Sequence, residues 1–195
     1  MKSTRQYQMG ARAAAVAQTR QRILDAALSL SATRRIAALS LDDIASEAEV
    51  SVQTVLRQFG SRAGVLEAAA GHARAAVREE RRTPVGDVEA AVSVLMEHYE
   101  QRGRATLLLL GQEDEDPMVA AITTDGKALH RAWVCEAFAP YTDDDAVIDL
   151  LVVATDVYAW KLLRLDRGLS RAVTEQRMKH LVAAILAATG PKESS

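Results

Sequence analysis

The chain has 195 residues, 49% of them hydrophobic and 26% charged, and a formal net charge of -2. That composition excludes a low-complexity or disordered polymer, and because helix formers dominate over β-branched runs it predicts an all-α protein with one or two cores. A single cysteine, Cys135, excludes an intrachain disulfide; with neither a signal-peptide pattern nor a bilayer-length apolar run, the expectation is a cytoplasmic protein that does not enter a membrane.

The small net charge conceals an asymmetry. Residues 1–62 hold nine Lys/Arg against five Asp/Glu, whereas residues 63–195 hold fifteen against twenty-one. The N-terminal third is therefore the part suited to a polyanion. Residues 1–18 contain Lys2, Arg5 and Arg12 and no acid. Three readings of this basic arm stay open: a mobile tail, an arm that enters a minor groove or tracks phosphates, and an N-terminal extension of the first helix.

The first predicted helix runs from Arg20 to Ser31, with Ile23, Ala26, Ala27 and Leu30 at helical spacing. Ser40 and Asp43 form a variant capping box ahead of a short helix that ends near Glu47, in which Ile44, Ala45 and Ala48 make an apolar stripe. Ser51 caps the next helix. There Val55 and Phe59 point inward, leaving Val52, Gln53, Thr54, Arg57 and Gln58 outside or at the edge. Helices this short need a third against which to bury their inner faces, and the first helix supplies it. The donor-rich outer face fits a major groove, so residues 19–62 read as a three-helix, helix-turn-helix DNA-binding domain.

These residues resemble the TetR family of bacterial transcription regulators. The resemblance lies in Arg22–Leu30, in the turn over Ile44–Ser51, in Thr54–Phe59 of the recognition helix, and in Ser61–Leu66 where the next helix begins. It covers roughly residues 19–70 and departs from the family pattern in three ways. Glu49 stands where the turn usually has glycine, which costs on the order of 1 kcal/mol if the backbone there is left-handed. Leu56 and Gln58 replace a tyrosine and a histidine that commonly contact phosphate. Arg62 replaces a lysine, keeping the cation and adding a fork suited to phosphate. Carried onto this chain, Val52, Gln53 and Thr54 are expected to read base edges, with Gln53 pairing with adenine and Val52 or the Thr54 methyl touching thymine. Arg57 reads guanine or holds phosphate; Ser40, Ser51, Gln58, Arg62 and, in the arm, Arg12 are the expected phosphate contacts.

The larger domain, residues 63–195, reads as a succession of helices. A linking helix spans about Arg62–Arg81 and stops before Pro84; the next covers about Val85–Arg102, and Gly103 is expected to separate it from Arg104–Gly111. The run 112–117 reads as a solvated acidic loop leading to Asp116 and Pro117, a cap and first-turn pair for a helix to about Ala139. Val147–Leu165 is apolar almost all round and is expected within one helix, Asp143–Asp166. A final helix, Arg171–Thr189, carries Val173, Met178, Leu181, Val182, Ile185 and Leu186. By resemblance these last two helices form a homodimer interface, and a dimer suits two recognition helices on a pseudo-palindromic duplex.

The resemblance also implies an unidentified small-molecule effector held between the middle helices and the dimer helices, whose binding changes the spacing of two DNA-reading heads. His98, Tyr99, Trp133, Asp156 and Trp160 are the principal candidates to touch it, with His130, Phe138 and Tyr158 beside them. Asp156, Trp160 and Arg164 recur every fourth residue, which on one helix aligns them along one face, for a ligand or for an ion pair between subunits. Core packing is the competing assignment for Trp133 and Phe138. His72, His98, His130 and His180 show no metal-ligand spacing, and no nucleophile elbow, phosphate loop or dinucleotide fingerprint is present, so neither metal, cofactor nor enzyme activity is expected. The expected function is a homodimeric, ligand-responsive repressor. The alternatives are an activator with the same fold and a helical dimeric binding module whose DNA head has weakened.

Overall fold

The computed structural model describes residues 3–188, with side chains from Arg12 onward, and divides into two compact units between Arg74 and Ala75. In the first, α1 (Ser3–Ser31) is followed by a 3-10 turn (Ile36–Ala38), α2 (Leu41–Glu47), α3 (Val52–Phe59) and the start of α4 (Arg62–Glu80). Helix α1 begins well before the expected Arg20, because an alanine-rich stretch with no proline favours continuing the helix over fraying. The extension reading of the arm thus replaces the tail. Lys2 lies outside the described residues. Ile23, Ala27, Ile44, Val55 and Val65 are completely buried, so each of the four helices contributes to the core of this unit.

The second unit contains the rest of α4, then α5 (Val88–Leu110), α6 (Pro117–Ala137), α7 (Asp145–Thr155), α8 (Val157–Trp160), a π-helical segment (Lys161–Asp166) and α9 (Arg171–Ala188). Helix α5 packs against α6, α8 and α9, and α7 against α6 and α9, around Leu95, Met96, Val134, Phe138, Leu151 and Trp160. Among the described residues no helix is long and apolar enough to cross a membrane.

Three expectations for this unit are corrected. Helix α5 runs straight through Gly103, where a Cβ would stand 2.5 Å from the Trp160 ring; the glycine is there for close approach, not to end a helix. The long helix expected over Asp143–Asp166 is broken at Asp156, whose backbone is extended (φ -72°, ψ 154°) and whose carboxylate accepts from the Tyr158 amide at 2.8 Å. The Thr155 carbonyl exposed by the break is satisfied by the Tyr99 hydroxyl, which donates to it at 2.9 Å. In α9, finally, Met178 and Val182 are fully buried in their own unit, while Val173 and Leu181 face outward.

Candidate nucleic-acid interface

The α2–α3 hairpin is fixed at every joint by named hydrogen bonds. Ser40 Oγ accepts from the Asp43 amide at 3.1 Å and Asp43 Oδ2 accepts from the Ser40 amide at 2.8 Å, completing the capping box. Asp43 also accepts from Arg34 Nη1 at 2.9 Å, and these Ser40 and Arg34 contacts hold its carboxyl well below the usual carboxylate range. Helix α2 ends in a Schellman turn: the Val50 amide donates to Ala45 O at 2.9 Å and the Glu49 amide to Ser46 O at 3.1 Å, with Glu49 at φ +54°. Glu49 is the non-glycine residue with positive φ among those described. The turn has kept its left-handed geometry despite the missing glycine.

Ser51 then caps α3, its Oγ accepting from the Thr54 amide at 3.2 Å and lying 3.0 Å from Thr54 Oγ1. At the other end of α3, Arg20 of α1 donates to the Gln58 carbonyl at 3.1 Å and stacks over the Phe59 ring at 4.2 Å. Gly60 at φ +77° turns the chain, and Ser61 Oγ accepts from the Gly64 amide at 3.0 Å to start α4. A Cβ on Gly64 would meet Phe59 O at 2.2 Å, so this glycine sets how closely α4 follows α3. Neither Arg20 nor Gly64 was recognisable as a positioning residue from sequence, since their partners lie across the fold or behind the turn.

Held this way, α3 presents Gln53 and Arg57 exposed, with Val52, Thr54 and Gln58 half-buried beside them and Ser51 exposed at the N-terminus. Among the described residues neither Gln53 nor Arg57 has a side-chain partner, so their donors are available to a ligand. Ser51 and Thr54 share one hydroxyl proton between them and leave the other free. Arg12 is exposed on α1.

Residues 23–69 match the profile of the family described as bacterial regulatory proteins, tetR family. The match covers the first unit's helix-turn-helix, so this part of the chain is similar to the DNA-binding region of that family. No curated protein matches it. Solved structures with the same fold include a tetR-family transcriptional regulator from Streptomyces coelicolor (23% identity, 88% of this chain and 81% of that one, TM-score 0.67). A transcriptional regulator from Rhodococcus sp. Rha1 (17%, 87% and 96%, TM-score 0.68) and GusR from Salmonella enterica (19%, 87% and 95%, TM-score 0.67) are similar to it as well. At these identities the likeness establishes the fold, and it spans both units of the chain.

Two expected phosphate contacts are corrected by the geometry. The Ser40 hydroxyl donates to Asp43 Oδ2 at 2.5 Å while accepting from the Asp43 amide, which leaves it no proton for a phosphate. The Arg62 guanidinium donates to the Leu39 and Ile36 carbonyls, so it ties α4 to the loop that precedes α2. Both residues position the α2–α3 hairpin from within.

The residues expected to line an effector site are placed in the second unit and are engaged with one another. His98 is buried with its Nδ1 3.3 Å from Glu80 Oε2, and burial, reinforced by the Arg81 charge, lowers its pKa to about 3. Trp133 Nε1 donates to the Arg81 carbonyl at 2.9 Å, and the buried Tyr99, its pKa raised by that burial, bonds Thr155 as described. Asp156 is consumed as the α8 cap. Trp160 Nε1 and Arg164 Nε both donate to Glu100 Oε1, at 3.0 and 2.9 Å. The expected stripe of Asp156, Trp160 and Arg164 is therefore interrupted by the Asp156 break, and the ion pair of Arg164 lies within the chain. Phe138 is core, and Tyr158 is exposed. Glu100 and Arg81 are the organising residues that sequence spacing did not single out.

Proposed function

We propose that this regulator is a homodimeric, ligand-responsive repressor that binds a pseudo-palindromic operator through α3. The observation that carries the DNA reading is the unpartnered, exposed pair Gln53 and Arg57 on a recognition helix pinned at both ends by Ser51 and Arg20. Gln53 pairs with adenine, Val52 and the Thr54 methyl contact thymine, and Arg57 reads guanine or holds phosphate. The Ser51 hydroxyl and the Gln58 amide hold phosphates, with Arg12 on α1 adding a sequence-independent cation.

The dimer reading is supported by an unburied apolar face. Leu150 and Val153 on α7, Tyr158 on α8, Leu162 in the π segment, and Val173 and Leu181 on α9 are all exposed, Val153 at 67%. Large apolar side chains left exposed along α7 to α9 call for a partner surface, and a second copy presents the same one. Two copies place two recognition helices on successive major grooves about 34 Å apart.

Selection of purified protein against a random duplex library at near-physiological salt tests the reading. A short inverted repeat among the retained sequences is the expected result, and retention without enrichment would remove it. Gln53→Ala is expected to relax preference at one base pair of each half-site by about 1–3 kcal/mol while leaving binding to random duplex intact. Equal losses on cognate and random duplex would refute that role.

A further inference from the structure

Arg81, just past the end of α4, is the most unusual charge in the molecule. It is only 8% exposed, and its guanidinium has no carboxylate within ion-pair distance among the described residues. Glu80, its neighbour in sequence, is taken by Arg102 and His98, and Asp156 caps α8. Arg81 Nη1 instead donates to His130 Nδ1 at 3.2 Å, and Arg81 Nε is buried with no partner at all. The guanidinium carbon lies 5.4 Å from the Tyr99 ring centre and 6.0 Å from that of Trp133.

The state of His130 follows from its contacts. Thr155 Oγ1 donates to Leu151 O at 2.7 Å, so it accepts from His130 Nε2–H at 3.1 Å, and Nδ1 carries the lone pair that faces Arg81. Burial and the adjacent guanidinium keep the ring neutral, with a pKa of about 4. Among the described residues the acceptors offered to the buried cation are thus neutral, His130 Nδ1 and the Tyr99 hydroxyl. Close by in the chain, the Thr83 hydroxyl is also buried and unpartnered. A buried charge is costly unless it is directly paired and fully hydrogen-bonded, and this one has Glu80 and Asp156 only at a distance and an Nε without a partner.

We propose that the Arg81 cluster is a binding site for a monocarboxylate with an apolar aromatic or acyl body, the carboxylate taking the place of His130 Nδ1 and engaging Nε and Nη1 together while its body lies against Trp133 and Tyr99. One buried cation flanked by neutral donors matches one negative charge, and the planar fork matches the two carboxylate oxygens. The assignment deepens the ligand-responsive reading above and rests on it.

The test uses the full chain without DNA. Benzoate, phenylacetate and octanoate are titrated against their amides, benzamide, phenylacetamide and octanamide, while tryptophan emission and Tm are followed. At least one carboxylate is expected to change the emission saturably and raise Tm, with its amide roughly 30-fold or more weaker. Arg81→Met is expected to abolish that preference, and Arg81→Lys to keep it at reduced affinity. Because the buried guanidinium has no direct ion pair to lose among the described residues, unliganded Arg81→Met should melt no lower than the parent. Failure of all three carboxylates, equal binding of acid and amide, preference surviving in Arg81→Met, or a marked fall in the Tm of that variant would each overturn the site. Fluorescence anisotropy on a selected duplex is scored separately. A carboxylate that binds without releasing DNA keeps the site and removes the effector reading; selective DNA binding with no carboxylate binding does the reverse.

Discussion

Replacing Glu49 by glycine should stabilise the DNA-binding unit. Glu49 occupies the left-handed position of a Schellman turn at φ +54°, where an L-residue costs about 1–2 kcal/mol because its Cβ crowds the backbone. Glycine removes that strain but brings about 0.5–1 kcal/mol of extra unfolded-state entropy. The net gain is about 0.5–1 kcal/mol, or roughly 2–8 °C in the Tm of a unit this size. Both tryptophans, Trp133 and Trp160, lie in the other unit, so emission does not report the change. Urea unfolding by circular dichroism at 222 nm and native-state exchange of the Val50 amide, which closes the turn on Ala45 O, do report it. Glu49→Ala is the control, since it removes the same charge and keeps the Cβ. Stabilisation by glycine and not by alanine is expected. If alanine stabilises as much, the effect belongs to the carboxylate, and backbone strain at Glu49 is refuted.

Gly103→Ala should destabilise the second unit by about 1–3 kcal/mol, because the new methyl enters the space of the Trp160 ring; an unchanged urea midpoint would show that the ring yields freely. Val153→Glu, at the most exposed apolar side chain of the proposed dimer face, should shift sedimentation from dimer to monomer and weaken operator binding, and a variant still dimeric at micromolar concentration would place the interface elsewhere. His98 and His130 are neutral in the fold, with pKa values of about 3 and about 4 against about 6.5 when unfolded, so the unfolded chain binds more protons below neutrality. Their contribution is fully present above about pH 6.5 and is lost as pH falls towards 4. For His130 the loss amounts to about 2 kcal/mol by pH 5. Thermal melts of His130→Gln between pH 7 and pH 4.5 should show a shallower loss of stability, and a slope equal to the parent's would contradict the assignment.

The parts of this protein that could be read from sequence are those whose causes are local. Ser40 with Asp43, Ser51 before Val52, and Asp116 before Pro117 each announce a helix start through contacts spanning two or three residues, and all three caps are present. The inward positions Ile44, Ala45 and Val55 follow from a periodicity that needs no partner to be seen. Arg62 shows the opposite case. Its sequence context is that of an exposed cation at a helix start, and only the return of the loop at 36–39 turns it into an internal tie.

The misread glycine at 103 and the unbroken helix expected through Asp156 have a single origin, and it is not local. Glycine inside a helical pattern is ordinarily a weak point, and Val147–Leu165 has no proline or glycine to stop it. What reverses both expectations is one packing arrangement: α8 lies against α5 so closely that Trp160 occupies the space a side chain at 103 would need. Glu100, one turn before Gly103, then anchors both Trp160 and Arg164. Tyr99, on the same turn of α5, donates to the carbonyl freed where α7 stops. Helix α5 therefore supplies the gap, the anchor and the hydrogen bond that together make a break at Asp156 tolerable. Losing the gap should strain the anchor, so Gly103→Ala and Glu100→Gln are expected to be non-additive in urea unfolding, with a coupling of about 0.5–3 kcal/mol. Additivity within about 0.3 kcal/mol would mean that the break is held by the Asp156 cap alone.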